Sequence, residues 1–220
     1  VDVKFLADAC FAIQNATVKP AAWIFDFDNT LFESGREIFP IINEKMTQYI
    51  EQHLRVDRYE ANRLRKLYWD QYGATMTGLV RHHDIDAVDF LDKTHDIGDL
   101  SEFIHRSSRL RHLLRVISGK KIIFSNSPAA YLKEMLRLLR IGRYITDAFS
   151  IESTHMNPKP SAIGFRKLLR THKLKASQCV MVEDSLVNLT TAKRLGMKTI
   201  WVARNSKRMC WLDARVTHLY

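Results

Sequence analysis

Short apolar runs that alternate with amphipathic segments constrain the fold of this chain more than any other feature. The runs are AAWIF (21–25), KIIFSN (121–126), CVMVEDS (179–185) and MKTIWVA (197–203). Between them, Tyr131–Leu139 and Phe165–Leu169 carry apolar residues at helical spacing. Strands with nearly continuous apolar sequence are buried on both faces, which is typical of a parallel sheet covered by helices. The sequence therefore predicts an α/β fold.

The segment 33–115 interrupts this alternation with a purely helical pattern. Its apolar residues recur in two stripes at helical spacing: Ile42, Met46, Tyr49 and Ile50, and then Leu64, Leu67 and Tyr68. We predict a Rossmann-like core with helices on both faces, formed by 1–32 and 116–220, and an all-helical cap domain at 33–115. An insertion between the first two core strands is well placed to act as a lid.

Composition limits the class of protein. The chain has 220 residues, 46% hydrophobic and 26% charged, which is ordinary for a soluble globular protein. No apolar run approaches the length of a bilayer span, so we expect no membrane partner. Cys10, Cys179 and Cys210 are scattered without a CxxC pair, which fits a reducing cytoplasm better than a disulfide framework. The first sixteen residues only faintly resemble a signal peptide, because Asp8 breaks their apolar run, and we expect a short helix or an arm there.

The net charge of +10 allows two interpretations. It suits a nucleic-acid partner, or it provides a positive field that attracts small anionic substrates. In HRSSRLRHLLR (105–115) the arginines interleave with Leu110, Leu113 and Leu114 at helical spacing, so they are typical of the solvated face of an amphipathic helix. We therefore expect nucleic acid to be an unlikely partner.

Polar side chains follow three of the apolar runs. AAWIF is followed by Asp26, KIIF by Ser125 and Asn126, and CVMV by Glu183 and Asp184. In open parallel sheets, ligands bind outside the carboxyl ends of the strands. Three strands that end in carboxylates, in a hydroxyl with an amide, and in carboxylates again therefore predict one polar site.

Two acids inside the apolar stretch WIFDFDNTLF (23–32) need a compensating partner, because unpaired buried carboxylates are costly. Asp26, Asp28 and Asp184 could converge on a hard divalent cation such as Mg²⁺, which takes oxygen ligands. Lys159, between two prolines in NPKP, can neutralise both a phosphate and a carboxylate. These are the parts that phosphoryl transfer needs, since it depends on positioning and charge stabilisation.

The ordered set of DFDNT, the serine after KIIF, the lysine of NPKP and the aspartate of VEDS resembles the haloacid dehalogenase-like (HAD) phosphohydrolase superfamily. The helical segment after the first motif resembles the cap of one branch of that superfamily. The resemblance implies that Asp26 attacks phosphorus to form an aspartyl-phosphate, while Asp28 first protonates the leaving oxygen and then activates water.

The resemblance also implies the remaining roles. Ser125 and Lys159 would hold the phosphoryl oxygens, with Thr30 and Asn126 as secondary orienting groups. Asp26, the Asp28 carbonyl and Asp184 would bind Mg²⁺. Asp26 and Asp28 can have these separate roles only if their carboxylates do not share one strand face. We therefore predict that Asp26 ends the strand and that Asp28 lies on the turn that follows.

One position departs from the pattern of the superfamily. Many relatives have a further acidic residue a few positions after the aspartate that corresponds to Asp184, whereas this chain has Asn188. The neighbouring Glu183 could compensate through a metal-bound water, or it could simply be the polar end of a strand.

Within the cap, QYGATMTGLVRHHDIDAVDFL (71–91) resembles the corresponding stretch of pyrimidine 5′-nucleotidase-like proteins. The resemblance implies that Tyr72, Thr75, His82 or His83 faces the substrate. Paired histidines near a helix end are also common as surface or capping residues, and aromatic residues at this spacing often pack a helical bundle.

Together these observations predict a Mg²⁺-dependent phosphatase of the cytoplasm, monomeric or homodimeric, that hydrolyses a small phosphomonoester. A nucleoside 5′-monophosphate, with a pyrimidine base as the first candidate, is the expected substrate. A phosphomutase or sugar-phosphate phosphatase on the same core is the nearest alternative. A non-catalytic nucleic-acid-binding module is the alternative of another class.

Overall fold

The computed structural model describes residues 2–14, 19–33, 37–203 and 209–218, and it contains a single seven-stranded parallel sheet. Its strands are β1 (Asp2–Phe5), β2 (Ala22–Phe25), β3 (Lys120–Phe124), β4 (Asp147–Phe149), β5 (Cys179–Glu183), β6 (Lys198–Val202) and β7 (Ala214–His218). They lie in the order β1-β7-β6-β5-β2-β3-β4. The predicted α/β fold is confirmed, with β2 between β3 and β5 near the middle of the sheet.

Helices connect the strands and cover the sheet. They are α1 (Leu6–Gln14), α2 (Ile38–Leu54), α3 (Arg58–Tyr72), α4 (Thr75–His83), α5 (Ala87–His95), α6 (Ser108–Val116), α7 (Ala129–Leu139), α8 (Ala162–Thr171) and α9 (Leu186–Arg194). Side chains cap several of them at the N-terminus, where free backbone N–H groups need acceptors: Asp57, Asp86 and Ser107 each accept from the third helical residue. In the described part of the chain, none of these helices has the length and apolarity of a membrane span.

The two faces of the sheet are buried in separate apolar clusters. Along β2, Trp23 and Phe25 point into one cluster, whereas Ala22 and Ile24 point into the other. This alternation follows from the two-residue period of a strand. It explains why the central strands have continuous apolar sequence, since both faces are covered.

Helices α2–α5 lie between β2 and β3 in the chain and share a third cluster of buried residues, which includes Tyr49, Ile50, Leu64 and Tyr68. Ile151, from the segment after β4, is buried in the same cluster, so this helical layer contacts the sheet domain. Tyr49 and Ile50 of the first predicted stripe therefore share a cluster with Leu64 and Tyr68 of the second, whereas Ile42 is buried in the sheet cluster and Leu67 is exposed.

The predicted boundary of the cap at residue 115 differs from the observed packing. Helix α6 buries Leu110, Leu113 and Leu114 in the same cluster as Trp23 and Phe25 of the sheet. Its arginines face outward, as the amphipathic pattern predicted. The apolar face of α6 therefore packs against the sheet, which favours an earlier end of the cap domain.

The N-terminal segment contains the predicted short helix, α1, but a strand that was not predicted precedes it. Residues 2–5 form β1, which pairs in parallel with β7 at the edge of the sheet, and α1 follows at once. Leu6, Ala9 and Cys10 on α1 are buried in the core. The edge strands β1 and β4, and β7 next to β1, lack the continuous apolar sequence that revealed the central strands.

Candidate active site

The carboxyl ends of the central strands bring the predicted polar residues together. Because β2 pairs in register with both β3 and β5, Asp26 lies beside Glu183 on one side and close to Ser125 on the other. The Asp26 backbone N–H still donates to the Val182 carbonyl at 2.9 Å. The backbone hydrogen bonds between β2 and β5 therefore extend to Asp26 and fix its position. The predicted convergence of three strand ends is confirmed.

The chain turns immediately after Asp26. Strand β2 ends at Phe25, and Asp28 lies outside it in a compact turn. The Phe27 carbonyl organises this turn by accepting three backbone N–H groups, those of Thr30, Leu31 and Phe32. Asp26 and Asp28 are therefore not neighbours on one strand face, and the predicted turn is confirmed.

Lys159 binds two carboxylates in the interior of the site. Its ammonium Nζ donates to Asp26 Oδ1 at 2.6 Å and to Glu183 Oε2 at 2.8 Å. All three residues are buried, with exposed fractions of 2% for Lys159, 6% for Asp26 and 1% for Glu183. Glu183 is thus more than the polar end of a strand, because it shares the lysine with Asp26. Buried charges of this kind require such pairing.

Burial and mutual repulsion raise the pKa values of the acids. The pKa of Asp26 is raised to about 7, chiefly by burial and then by the charge of Glu183, while Lys159 opposes the shift. Burial likewise raises the pKa of Glu183 to about 7, and Lys159 opposes it. For Lys159, burial alone would lower the pKa, but Asp26 and Glu183 outweigh it and hold the ammonium protonated. The ammonium of Lys159 therefore does not neutralise all the negative charge of Asp26 and Glu183.

The third acid of the cluster is Asp184, whose pKa is raised to about 6 by burial and by Asp26. Oxygen atoms of Asp26, Glu183 and Asp184 all lie within 4.8 Å of one another. An all-oxygen set with excess negative charge matches the preference of Mg²⁺. The residues therefore fit a hard divalent cation.

Two hydroxyl groups that sequence reasoning missed hold the Asp28 carboxylate. Ser127 Oγ donates to Asp28 Oδ2 at 2.9 Å, and the Tyr131 hydroxyl donates to Asp28 Oδ1 at 3.0 Å. Tyr131 lies in the first turn of α7, on the face that packs against Phe27. The only sequence signal was that both residues closely follow Ser125.

The two side chains that follow β3, those of Ser125 and Asn126, make different kinds of contact. Asn126 was expected to face the substrate, but its Oδ1 accepts from the Lys159 backbone N–H at 2.8 Å and its Nδ2 donates to the Lys159 carbonyl at 3.1 Å. The Asn126 amide therefore positions the Lys159 backbone and keeps one Nδ2 hydrogen for another acceptor, so its role as a secondary orienting group stays a prediction. Ser125 Oγ accepts from the Ser127 N–H at 3.0 Å, which leaves its own O–H to donate.

Thr30 is fully buried in the turn beside Asp26. Its hydroxyl makes no hydrogen bond of standard geometry, yet it lies near enough to Asp26 to lower the pKa of that carboxyl slightly. Thr30 therefore belongs to the surroundings of Asp26, where the sequence placed it.

Most of the cap residues singled out in the sequence bind one another. The Tyr68 hydroxyl and His83 Nε2 are 2.7 Å apart, and the Tyr72 hydroxyl and His82 Nε2 are 2.6 Å apart. Thr75 is buried and donates to the Arg65 carbonyl at 2.9 Å. His83 therefore contacts a core residue of the helical layer, and the Thr75 hydroxyl binds the backbone of α3. His82 is exposed and Tyr72 is half-buried.

The turn between α3 and α4 touches the lysine loop directly. Gly73 has φ +76°, and a Cβ built on it would lie 2.4 Å from Pro160 Cδ and 3.1 Å from the Lys159 carbonyl oxygen. Only glycine allows both this conformation and this approach. Tyr72 is therefore one residue away from the contact between the helical layer and the catalytic loop.

A profile of haloacid dehalogenase-like hydrolases matches residues 23–202, which span the whole set of strand-end residues. This chain belongs to that family. Among curated proteins, phosphate metabolism protein 8 of Saccharomyces cerevisiae is 28% identical over 197 residues, covering 80% of this chain. The match covers 59% of the yeast protein, so the chain spans less than two thirds of that relative.

Solved HAD structures share the fold. The HAD-hydrolase YfnB of Bacillus subtilis, solved bound to magnesium, superposes with a TM-score of 0.59 at 15% identity, over 89% of this chain and 93% of that chain. A HAD phosphatase of Thermococcus onnurineus gives a TM-score of 0.56 at 20% identity, over 90% and 94% of the two chains. At these identities the likeness supports the architecture alone.

Proposed function

We propose that this protein is a Mg²⁺-dependent phosphatase that hydrolyses a small phosphomonoester through an aspartyl-phosphate intermediate. The observation that carries the proposal is the buried Lys159 between Asp26 and Glu183, next to the further acid Asp184. This arrangement holds a carboxylate nucleophile, an ammonium and an acidic oxygen cluster at one sheet edge. The yeast relative, which is named for phosphate metabolism, supports the same reaction class.

In the first step, an Asp26 carboxylate oxygen forms a bond to phosphorus while the bond from phosphorus to the leaving oxygen breaks. Asp28, in its protonated form, transfers its proton to that leaving oxygen. In the second step, Asp28 accepts a proton from water, whose oxygen attacks the phosphorus of the aspartyl-phosphate and releases Asp26. Ser127 and Tyr131 hold the carboxylate of Asp28 in place between the two steps.

Positive and neutral donors bind the phosphoryl oxygens. The Lys159 ammonium lies against Asp26 and offsets the charge that develops on the phosphoryl group. Ser125 donates its hydroxyl to the same group, while Asn126 fixes the backbone of Lys159.

Asp26, Asp184 and the carbonyl of Asp28 would hold the metal, with Glu183 in its surroundings. When bound, Mg²⁺ neutralises negative charge on the substrate phosphate and lowers the repulsion among the acids. The raised pKa values of Asp26 and Asp184 agree with such a requirement, because Lys159 alone leaves these carboxyls partly protonated near neutral pH.

The helical layer would act as the cap that selects the substrate. The resemblance of 71–91 to pyrimidine 5′-nucleotidase-like proteins favours a nucleoside 5′-monophosphate, and we assign Tyr72 and His82 as the cap residues nearest to it. Gly73 supports this assignment, since it packs against the loop that carries Lys159. Because the apolar face of α6 packs against the sheet, we propose that the cap domain ends before residue 108. The cysteines are free, which fits our proposal of a cytoplasmic enzyme.

A substrate panel tests this function. Purified protein would be incubated with nucleoside 5′-monophosphates and sugar phosphates, with Mg²⁺ or with EDTA, and released phosphate would be measured. We expect Mg²⁺-dependent release that is fastest with one class of nucleoside monophosphate. Release only from sugar phosphates would contradict the substrate assignment. Isomerisation without phosphate release would identify a mutase, and no turnover with any compound would refute the proposed function.

A further inference from the structure

A concave surface at the other end of α7 from the candidate active site is lined by positive charges. This surface, called here the basic depression, has a volume of ≈ 800 Å³. Its cationic side chains are Arg106, Arg111, Lys133, Arg137, Arg140 and Arg143. Among the described residues, no carboxylate lines it, and Leu136 and Gly142 complete its wall.

Among the described residues, five of these six cations have no carboxylate within ion-pair distance. Arg137 forms an ion pair with Glu134 at 2.6 Å. Arg106 donates to the Leu138 carbonyl, and Arg143 donates to the Tyr144 hydroxyl, so both bind neutral acceptors. For Arg111, Lys133 and Arg140, the part of the chain that the structure describes offers no carboxylate within ion-pair distance. Like charges gathered in one concavity repel each other and attract anions.

The cations come from three separate elements. Arg111 lies on α6, Lys133 and Arg137 lie on α7, and Arg143 lies on the turn that precedes β4. A neighbouring depression shares Arg111 and Arg143 and adds three further basic side chains, those of Arg109, His112 and Arg115, together with one acid, Asp8. The charges therefore converge on one place instead of forming a line along a single helix.

The basic depression is separate from the catalytic residues. The first turn of α7 carries Tyr131, which binds Asp28, whereas its last turn and C-cap carry Arg137 and Arg140. At about 1.5 Å per residue, Arg137 lies roughly 9 Å and Arg140 roughly 14 Å along the helix from Tyr131. Lys133 is only two residues from Tyr131, but its side chain is exposed whereas that of Tyr131 is buried. A ligand of the basic depression would therefore not occupy the substrate site.

We propose that the basic depression binds a compact anion that carries several phosphate groups, such as inorganic polyphosphate or a nucleoside triphosphate. Its volume is that of a small-molecule site. Guanidinium groups match phosphate oxygens in paired hydrogen bonds, and arginine is the commonest residue there. Convergence from three elements favours a compact ligand over an extended strand or a flat membrane. The proposal does not depend on the phosphatase activity.

Calorimetric titration tests this site on the full chain. Inorganic tripolyphosphate and orthophosphate would each be titrated in EDTA at about 0.15 M salt, where charges farther apart than about 8 Å are screened. The test variant is Arg111→Gln with Lys133→Gln. Its matched control is Arg166→Gln with Lys175→Gln, which removes the same charges from exposed positions outside the basic depression. If the test variant does not fold, Arg140→Gln with Arg143→Gln replaces it.

We expect tripolyphosphate to bind in a saturable manner and the test variant to weaken it roughly tenfold or more, because two of five unpaired cations are lost. The control should stay within about twofold of wild type, which is the scatter expected for distant surface charges. An ATP arm in the same buffer distinguishes polyphosphate from nucleotide as the source of the phosphates.

Several results would overturn the proposal. Orthophosphate binding as tightly as tripolyphosphate would remove the requirement for several phosphates. Tighter binding of a single-stranded RNA oligonucleotide or of anionic vesicles, lost in the same variant, would assign the surface to a macromolecule or a membrane. Equal losses in test and control variants, or no saturable binding, would show only diffuse attraction to a basic protein.

Discussion

Replacing Lys159 with methionine should destabilise the protein strongly at pH 8 and much less at pH 5. The ammonium lies 2.6 Å from Asp26 and 2.8 Å from Glu183, and all three groups are buried. Methionine fills a similar volume but leaves two acids without a cation. Breaking a buried ion pair by removing one partner typically costs about 3–5 kcal/mol.

The pH dependence follows from the pKa values of the two acids. In the folded protein the pKa of Asp26 and that of Glu183 are each about 7, above their ordinary values of 3.8 and 4.5. Acids with raised pKa values hold protons that the unfolded chain has lost, so the free energy of unfolding decreases as the pH rises from their ordinary pKa values of 3.8 and 4.5 to about 7, and it levels off above that pH. Without Lys159 these pKa values rise further, so the loss of stability extends to higher pH. At pH 5 both carboxyls are mostly protonated, and the missing cation costs little.

Urea unfolding in EDTA at pH 5 and at pH 8 measures this difference. Lys66→Met, at an exposed position on α3, serves as the control and should change stability by less than about 0.5 kcal/mol at either pH. Adding Glu183→Gln to Lys159→Met should recover part of the loss at pH 8, because only one buried carboxylate remains. A loss that is equal at both pH values, or no recovery in the double variant, would refute the electrostatic explanation.

Three further predictions concern other parts of the site. Tyr131→Phe should lower kcat/KM about tenfold, because the Asp28 carboxylate loses the hydrogen bond from the Tyr131 hydroxyl. That hydrogen bond favours the charged form of Asp28, so one limb of the pH–rate profile should also move to higher pH. His95→Gln should make the free energy of unfolding less dependent on pH between about 6.5 and 4. Burial lowers the pKa of His95 to about 4, so the wild-type protein loses about 3 kcal/mol of stability as the pH falls through that window. Magnesium at a hundredfold excess over its dissociation constant should stabilise the protein by about 2.7 kcal/mol in a thermal unfolding scan, and Asp184→Asn should abolish that gain.

Matched variants control these experiments. Tyr59→Phe removes an exposed hydroxyl on α3 and should leave kcat/KM unchanged. His105→Gln replaces an exposed histidine and should keep the acid-induced loss of stability. Asp70→Asn should retain the stabilisation by magnesium. An unchanged pH–rate profile for Tyr131→Phe, an unchanged slope for His95→Gln, or a full magnesium response in Asp184→Asn would each contradict the corresponding assignment.

The central sheet and the site at its edge could be predicted, because the apolar runs in the sequence show which segments form buried parallel strands. Apolar runs buried on both faces pair in parallel, and their carboxyl ends must then meet at one edge. Asp26, Ser125 and Glu183 could therefore be brought together from sequence. The turn that separates Asp26 from Asp28 was predictable because two like charges on one buried strand face would be costly.

Other features depend on side-chain directions that no local pattern encodes. Tyr131 binds Asp28 across 103 residues of chain, and the sequence gives no sign that its hydroxyl points to that carboxylate. Asn126 carries the right chemistry for a phosphate, but the Lys159 backbone takes both ends of its amide. His83 turns inward to Tyr68 although its neighbour His82 is exposed.

The end of the helical insertion could not be predicted for a related reason. Helix α6 has the same amphipathic period as the helices before it, and periodicity does not show which partner covers an apolar face. The cluster that contains Leu113 and Phe25 shows that the apolar face of α6 packs against the sheet.

The central claim is that Asp26 is the nucleophile of a phosphatase. Its most direct test measures Mg²⁺-dependent hydrolysis of p-nitrophenyl phosphate by wild type, Asp26→Asn and Asp70→Asn, each checked for an unchanged circular dichroism spectrum. We predict that Asp26→Asn loses at least about a thousandfold in kcat, as expected when a covalent nucleophile is removed, and that Asp70→Asn retains wild-type activity. Wild-type turnover by folded Asp26→Asn would contradict the claim.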